Sequence, residues 1–307
     1  MTSERLAPEI LRGLMARRNG PGLARASVTI GTFALSGWAA MTLSVQGSAG
    51  AWIALLVCGI ALIGLFPLMH ETGHGTAFES RLANTALNWI GALGMLQAPS
   101  FFREFHLAHH RWTQDPERDP EVAIAPGILE GWPGNPIIYL ARLSGQHLWV
   151  GKFGFTAICA LLPYPAWRRL FPFVEESNRR RVVWESRLCI LVLAGGGALG
   201  LMAVPGFAFF LLAWPLAHLG LGIYLMGEHS GMAVRGTQLE RTRTLLVHPA
   251  LRWLMWNMSY HAEHHAYPAI PFHALPDLHE RIDPEALNTL PSLVAFHREA
   301  IRRSLGG

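Results

Sequence analysis

Long runs without any charged side chain dominate the hydrophobicity pattern of this chain. The first run extends from Ala26 to Met69 and the second from Leu188 to Gly227, and neither contains Asp, Glu, Lys or Arg. A bilayer crossing needs about 20 apolar residues, so each run is long enough for two helices. Polar and glycine residues interrupt the first run at 46–50, and Val204-Pro205-Gly206 interrupts the second. Because such residues favour chain reversals, the pattern predicts two helical hairpins.

The predicted fold is therefore an all-α integral membrane protein with four transmembrane helices in two hairpins. We expect a single domain, residues 1–307, because no repeat or low-complexity tract divides the chain. The spans are predicted at about 26–46, 50–69, 188–204 and 207–227, and a cap outside the membrane comprises 70–187 and 228–307.

Two further apolar segments are predicted to lie in the membrane interface rather than to cross the bilayer. Leu82 to Phe102 is uncharged but carries three amide side chains, and a crossing there would separate His106 from His70 by the whole membrane. The segment from Ile137 to Pro165 mixes charged and aromatic residues with apolar ones and receives the same interpretation.

Composition supports the membrane prediction and orients the chain. Hydrophobic residues make up 51% of the sequence and charged residues only 15%, which is too apolar for an ordinary soluble fold. The net charge of +4 is carried almost wholly by arginine, and neither hairpin tip is charged. By the positive-inside rule, both termini are cytosolic, and this charge suits lipid headgroups better than nucleic acid. The arginines that precede the two hairpins are Arg12, Arg17, Arg18, Arg25, Arg179, Arg180, Arg181 and Arg187.

The N-terminus also needs to be distinguished from a secretory signal peptide. It places basic residues before an apolar stretch, as a signal peptide does. However, its charge-free region is several times longer than the roughly 7–15 residues of a signal core, so we expect an uncleaved first span.

Candidate chemistry lies in the 15 histidines, many of which recur at short, regular spacings. Helical residues three or four apart share one face, about 5–6 Å from each other, so two imidazoles can converge on one metal ion. In the pattern H-x-x-H-H the last two rings point about 100° apart, so one helix can supply two neighbouring metals. Three clusters and one isolated residue give nine candidate metal ligands: His70, His74, His106, His109, His110, His229, His261, His264 and His265.

Nine ligands exceed what one ion accepts, so two metals are implied. All-imidazole ligation without thiolates suits iron, zinc, copper or nickel, and a zinc pair is the simplest alternative to iron. The three cysteines, Cys58, Cys159 and Cys189, lie in apolar stretches without paired spacing and are interpreted as core residues.

Residues around the clusters have weaker assignments. His218 lies about three turns deeper in the predicted fourth span than His229. We interpret it either as a hydrogen-bonded neutral imidazole or as a substrate-channel residue. Metal-bound imidazoles usually donate their other N–H to a carboxylate, and we expect two or three of six nearby acids to do this. The six are Glu71, Glu104, Asp115, Asp119, Glu228 and Glu263. The histidines without partners at ligand spacing are expected to be structural: His147, His248, His273, His279 and His297.

At these clusters the chain resembles the membrane fatty-acid desaturase superfamily, which includes acyl-lipid and sphingolipid desaturases, carotenoid ketolases and hydroxylases. The segment 70–78 (HETGHGTAF) is similar to that family's first histidine box, 105–111 (FHLAHHR) to the second, and 257–265 (NMSYHAEHH) to the third. The resemblance covers about Ala26 to Leu278. His261 stands where front-end desaturases with a fused cytochrome typically have Gln, which argues against that subclass.

The resemblance implies four spanning helices beneath a cytosolic cap, with two Fe ions held by the histidine boxes and by a histidine near the end of the fourth span. It also implies that Asn257 holds a metal-bound water. The co-substrate would be O2, and electrons would come from an external ferredoxin or cytochrome b5-type donor.

The sequence thus predicts an O2-dependent diiron desaturase that acts on a fatty-acyl or lipid substrate, with its metal site on the cytosolic side. A hydroxylase or ketolase acting on a lipid, a carotenoid or a small amphiphile remains the alternative, because the boxes do not decide between these outcomes. A metal transporter or haem protein is a more distant alternative, since such proteins need ligands near the bilayer midplane, where only His218 lies.

Overall fold

The computed structural model describes residues 6–306, so the first five residues and the last residue of the predicted domain lie outside the described part. The described chain is mostly helical. Its only sheet consists of two parallel two-residue strands, in which Thr244 is paired with Thr289. The strands are β1 (Thr244–Leu245) and β2 (Thr289–Leu290).

Four stretches of helix are long and apolar enough to cross a membrane, as judged by length and composition. They are Pro8–Val45, Gly50–His74, Arg179–Ala203 and Phe207–His229. The first comprises α1 (Pro8–Leu14) and α2 (Asn19–Val45), and the second is α3 (Gly50–His74). The third comprises α10 (Arg179–Ile190), a π-helical turn (Leu191–Gly195) and α11 (Gly196–Ala203), and the fourth comprises α12 (Phe207–Phe210) and α13 (Ala213–His229).

Helices α3 and α13 extend beyond the uncharged runs from which they were predicted. The α3 run was expected to end at residue 69 and the α13 run at residue 227, but the helices continue to His74 and His229. Each helix therefore carries histidines on its last turns, which positions these rings on a rigid element.

The two chain reversals differ in how their helices pair. Helices α2 and α3 pack along one another after a turn at Gly47, whose φ of 66° favours glycine. Helices α11 and α12 are joined by a turn that contains Gly206. A Cβ added to Gly206 would lie 2.4 Å from the Met41 carbonyl oxygen. Beyond that tip, α13 packs on α3, whereas α10 packs on a different neighbour, α8 (Gln146–Leu161). The second predicted pair therefore meets chiefly at its tip.

The core lies where α3 and α13 meet, and the outer surfaces of the long helices are apolar. Leu62, Met69 and Leu221 are fully buried. By contrast, Trp38 on α2 is 65% exposed and Met202 on α11 is 84% exposed. Exposed apolar side chains on long helices suit contact with lipid.

Shorter helices follow α3 along the chain. Neither Leu82–Phe102 nor Ile137–Pro165 forms a helix long enough to span a membrane, as expected. The first segment is divided between two helices at Leu96, whose φ is 61°. The helices are α4 (Arg81–Gly94), α5 (Pro99–Trp112), α6 (Pro120–Ala123), α7 (Pro136–Ser144), α8 and α9 (Tyr164–Leu170).

The chain after α13 forms short elements that pack beside the ends of α5 and α13. They are α14 (Gln238–Arg241), α15 (Pro249–Leu254), α16 (His261–Ala266), α17 (Leu275–His279) and α18 (Leu293–Ser304), with 3-10 turns at Phe272–Ala274 and Pro284–Ala286. Helix α16 lies against α14, β1 and α17, and it carries the third histidine cluster.

Candidate metal centre

The structure brings all nine predicted histidines together in two groups. Within each group, one ring nitrogen from every histidine lies within 4.8 Å of the others. The first group is His70, His74, His106, His110 and His264, and the second group is His109, His229, His261 and His265.

Three elements build the first group. Helix α3 supplies two rings, α5 supplies two and α16 supplies His264. The Nε2 atom of His106 lies 2.9 Å from Nε2 of His74 and 2.9 Å from Nε2 of His110. The Nε2 atom of His264 lies 3.2 Å from Nε2 of His110. Residues distant in sequence thus aim the same ring atom at one point.

The second group has the same construction with different helices. His229 at the end of α13 places its Nε2 atom 3.2 Å from Nε2 of His109 and 2.8 Å from Nε2 of His261. His265 completes the group, and its Nδ1 atom lies 3.2 Å from the Thr113 hydroxyl oxygen. Nδ1 of His265 thus has a partner of its own, and its Nε2 atom is left for the group.

Each H-x-x-H-H sequence divides its last two rings between the groups. His110 belongs to the first group and His109 to the second, while His264 belongs to the first and His265 to the second. The roughly 100° between adjacent helical positions accounts for this division. The two groups are therefore neighbours across α5 and α16.

Carboxylates contact the outward-facing Nδ1 atoms of three of the nine rings. Glu71 lies 2.9 Å from His70, and Asp119 lies 2.9 Å from His109. Glu228 lies 3.6 Å from Nδ1 of His261, slightly beyond hydrogen-bond distance. An acceptor at Nδ1 fixes the proton there and leaves the Nε2 lone pair free.

The other three acids named from the sequence have different partners. Glu104 accepts from Asn178, and Asp115 caps the turn that follows it. The buried carboxylate of Glu263 accepts a 2.6 Å hydrogen bond from the Thr244 hydroxyl and pairs with His279. These contacts tie α16 to β1 and α17.

Sequence reasoning missed several polar residues that fix the histidine-bearing segments. Gln114 donates to the backbone oxygen of His229 over 3.1 Å, and Gln238 donates to the backbone oxygen of His110 over 2.7 Å. Gln114 directly follows Thr113, a partner of His265. Proximity to the second cluster was the only signal in the sequence for Thr113 and Gln114, and nothing in the sequence distinguished Gln238.

Electrostatics favour neutral rings at most of these positions. Burial, reinforced by the neighbouring histidines, holds the pKa values of His106, His110 and His264 well below the usual range. Burial also lowers the pKa of His109, but the charges of Asp119 and Glu121 outweigh it and raise this pKa to about 9. Neutral imidazoles present the lone pairs that metal binding requires.

The donor set fits metal ions. The Nε2 atoms of His70 and His265 are buried and have no hydrogen-bond partner among the described residues. Two adjacent ligands at about 2.1 Å from one ion lie about 3 Å apart when they subtend a right angle. The separations of 2.8–3.2 Å between Nε2 atoms match that value. Each group is therefore suited to one ion.

Asn257 belongs to neither group. It adopts a φ of 61°, its Oδ1 atom accepts from Arg25 over 3.3 Å, and its Nδ2 atom donates to the Phe272 carbonyl over 2.9 Å. Its predicted contact with a metal-bound water stays a prediction.

Histidines outside the nine are placed away from both groups. His218 on α13 pairs through Nδ1 with the Trp214 carbonyl, 2.9 Å away. His147 lines the cavity described below, and His297 contacts Tyr139. The remaining three, His248, His273 and His279, also belong to neither group.

A largely apolar cavity of about 240 Å³ adjoins both groups. His70 and His106 of the first group line it, as do His109, His229 and His261 of the second. The rest of the lining includes a wall rich in phenylalanine: Phe66, Phe101, Phe102, Phe105 and Phe155. Such a surface suits a hydrocarbon.

Comparison with known proteins finds one family model and several desaturases with similar sequences. The model of the fatty acid desaturase family matches residues 46–296. A sphingolipid delta(4)-desaturase of Drosophila melanogaster is 28% identical over 253 residues, which are 78% of this chain and 68% of that protein. The sphingolipid delta(4)-desaturase/C4-monooxygenase of Homo sapiens is 25% identical over 254 residues, 80% of this chain and 71% of that protein.

A third similar protein is named as a desaturase but not as a sphingolipid desaturase. The dihydrorhizobitoxine desaturase of Bradyrhizobium elkanii is 28% identical over 236 residues, which are 72% of this chain and 64% of that protein. The family match covers most of the sequence, and the two histidine groups and the four apolar helices agree with it. The chain belongs to the fatty acid desaturase family.

Proposed function

We propose that the protein is a membrane-bound diiron oxidoreductase that desaturates a lipid or fatty-acyl substrate. The observation that carries this proposal is the convergence of nine histidines into two groups beside an apolar cavity. The family match and the desaturase names of the relatives support the reaction class.

In this proposal each histidine group holds one iron, and the cavity holds the substrate against both. When bound, the irons supply reductive activation of O2 to an oxidant strong enough to take hydrogen from an unactivated C–H bond. Glu71 and Asp119 keep the rings of His70 and His109 in the orientation that offers Nε2. The phenylalanine wall excludes water and orients the hydrocarbon.

Hydroxylation on the same scaffold is the second candidate function. One human relative carries both desaturase and C4-monooxygenase in its name, which favours keeping this alternative. Both outcomes consume one O2, two electrons and two protons, and they differ in whether a second hydrogen is removed or oxygen is retained in the product. This alternative includes a hydroxylase or ketolase that acts on a carotenoid or on a smaller amphiphile.

The orientation of the chain and its electron source complete the proposal. We place both termini and the metal centre on the cytosolic side, and the arginines that flank the apolar runs support this orientation by the positive-inside rule. Electrons would reach the site from a separate ferredoxin or cytochrome b5-type protein. A metal transporter or haem protein is disfavoured because the histidine groups lie at the ends of α3 and α13 rather than at their middles.

The test is expression of the full chain with a ferredoxin and its reductase, followed by untargeted lipid and metabolite profiling. A new double bond supports the desaturase, whereas products with only hydroxyl or keto groups would favour the alternative. A His264→Ala variant should abolish turnover and lower bound iron, because it removes a ligand of the first group. The matched control is His248→Ala, whose exposed side chain belongs to neither group.

A further inference from the structure

Lys152 lies in the wall of the cavity that adjoins the histidine groups. It is one of 25 Lys and Arg residues, and every other one is arginine. On α8 it is four residues after Leu148 and three before Phe155, and all three line the cavity. This spacing places them on one helical face, so the only lysine of the chain faces the cavity.

The Lys152 ammonium has no carboxylate in ion-pair contact within residues 6–306. Its Nζ atom lies 5.2 Å from the centroid of the Phe66 ring and 4.0 Å from the Met95 sulfur. Glu121 lines the same cavity, but its carboxylate lies 3.7 Å from Nδ1 of His109. The carboxylate of Glu121 thus contacts a ring of the metal centre, whereas the Lys152 ammonium lies near an aromatic ring and a thioether.

An ammonium in such surroundings is unfavourable unless a partner is supplied. Transfer of a charge from water to an apolar site is costly unless the charge is paired. Burial accordingly lowers the pKa of Lys152 to about 7, although the charge of Glu121 acts against this shift. A ligand with an anionic group would provide the missing partner.

We propose that the cavity receives an amphiphile whose anionic group, a carboxylate in the simplest case, binds the Lys152 ammonium while its hydrocarbon lies along the phenylalanine wall. This inference rests on the proposed function for the identity of the cavity as the substrate site. The proposed ion pair with Lys152 is a separate claim, because it distinguishes substrates with a free acid group from neutral esters, amides and alcohols.

The position of Lys152 relative to the metal centre fits a substrate head rather than an accidental charge. The ring of Phe66 neighbours both, because its centroid is 5.2 Å from Nζ of Lys152 and 6.2 Å from the ring centroid of His70. Arg142 also lines the cavity, but backbone oxygens of residues 128, 130 and 131 occupy its guanidinium. Lys152 is the cation in this wall that is left for a ligand.

Binding to the purified, detergent-solubilised full chain tests the proposal without turnover. Tritiated dodecanoate is displaced by unlabelled dodecanoate, methyl dodecanoate or dodecanol, which share one hydrocarbon and differ in charge. We expect the wild-type protein to prefer the carboxylate by at least about tenfold, or about 1.4 kcal/mol. Lys152→Met should abolish that preference, Lys152→Arg should retain part of it, and Arg169→Met, which removes an exposed cation outside the cavity lining, should leave it intact.

A second readout uses Lys152 as the only lysine. Dodecanoate should slow its acylation by an amine-reactive reagent, followed by peptide mass spectrometry, and dodecanol should not. This measurement needs only the wild-type protein, so it decides the matter if Lys152→Met fails to fold.

The proposal is overturned if the wild-type preference is below about twofold, whether both ligands bind equally or neither binds, or if Lys152→Met retains it. Equal protection of Lys152 by dodecanoate and dodecanol would also overturn it. Neither readout depends on iron or O2. Failure here therefore leaves the diiron proposal standing, whereas loss of iron chemistry with intact carboxylate preference would do the reverse.

Discussion

At the scale of single residues, an important property of the metal centre is that some of its rings are held by a polar partner at Nδ1 as well as by their helix. Asp119 shows this best: its carboxylate contacts Nδ1 of His109 and also accepts from the backbone N–H groups of Gln114 and Glu121. The acid is therefore fixed by its own loop before it fixes the histidine. The same residue organises the turn and the ligand.

Asp119→Asn should selectively weaken the second histidine group. The amide keeps the shape of the side chain but removes the charge that favours a proton on Nδ1 of His109. Loss of such a partner typically lowers metal affinity about 10- to 100-fold. Chelator competition on iron-loaded protein should show one of two irons released at lower chelator concentration.

The matched control for that experiment is Asp115→Asn. Asp115 caps the neighbouring turn and contacts neither group. Equal release of both irons from Asp119→Asn, or the same effect from the control, would contradict the assignment of His109 to a separate ion.

Lys152 should titrate near neutrality when no ligand is present. Burial lowers its pKa to about 7, far below the ordinary value of about 10.4. The titratable groups that face it are Glu121 on α6, which raises this pKa, together with His147 on α8 and His218 on α13. The rate of acylation of Lys152 should therefore reach half its maximum near pH 7, and dodecanoate should shift that midpoint upward. A midpoint near pH 10 without ligand would refute this prediction.

Residue spacing predicted that adjacent histidines would point apart, but it did not predict which histidines form each group. The division of His109 from His110 follows from helix geometry alone, because neighbouring positions diverge by about 100°. That His264 joins the α3 rings, while His229 joins His109, depends on how α13 and α16 dock, which no local pattern records. The contact of Glu263 with His279 and Thr244 is similarly a long-range property.

At the scale of elements, close backbone contact between α13 and the α7–α8 turn shapes one side of the cavity. A Cβ added to Gly222 would lie 2.6 Å from the Leu143 carbonyl oxygen and 2.7 Å from that of Arg142. Gly145, which lies between α7 and α8, has a φ of 64°, and an added Cβ would meet the His218 carbonyl. Small residues therefore allow α8 to approach α13 and bring Lys152 to the cavity.

Gly222→Ala should destabilise the protein, because the methyl group meets rigid carbonyl oxygens rather than flexible side chains. Overpacking of this kind typically costs about 1–3 kcal/mol. Gly154→Ala on α8 is the control: nothing lies within 4 Å of its added Cβ, and alanine is the better helix former. In detergent, Gly222→Ala should melt at a lower temperature than wild type, and Gly154→Ala should not. Equal melting temperatures for the two variants would contradict the close approach.

The helices themselves were the easier prediction, because the absence of charge is visible in the sequence over the length of a span. The spans were predicted to end at residues 69 and 227, but the spacing of His70 and His74 and the position of His229 already indicated helix beyond them, as α3 and α13 have it. The weak pairing of α10 and α11 with α13 was unforeseen. Two consecutive apolar runs predict adjacency in the chain, whereas packing partners depend on side chains such as Cys189, which lies in a core with α5 and α8.

At the scale of the whole molecule, charge and apolar surface together predict its position in the membrane. Exposed apolar side chains cover the long helices, while arginines lie in the N-terminal parts of the first and third stretches. The histidine groups lie at the ends of α3 and α13 that point away from the uncharged tips. Substrate would thus enter from the lipid, and electrons would arrive from the cytosol.

Reporter fusions test this orientation. Alkaline phosphatase inserted after Gly47, at the first tip, should be active because it is exported, whereas insertion after Pro133, in the cap, should leave it inactive. Green fluorescent protein fused after the last residue should fluoresce, as cytosolic termini require. An active phosphatase at Pro133 would place the histidine groups on the opposite side.

The central claim is that two separate histidine groups each hold one iron, and metal analysis of the purified protein tests it most directly. Inductively coupled plasma mass spectrometry, with Mössbauer spectroscopy on iron-enriched protein, should give about two irons per chain. His264→Ala and His265→Ala, which alter different groups, should each lose about one. Zinc in place of iron, a single ion per chain, or full iron content in both variants would contradict the account.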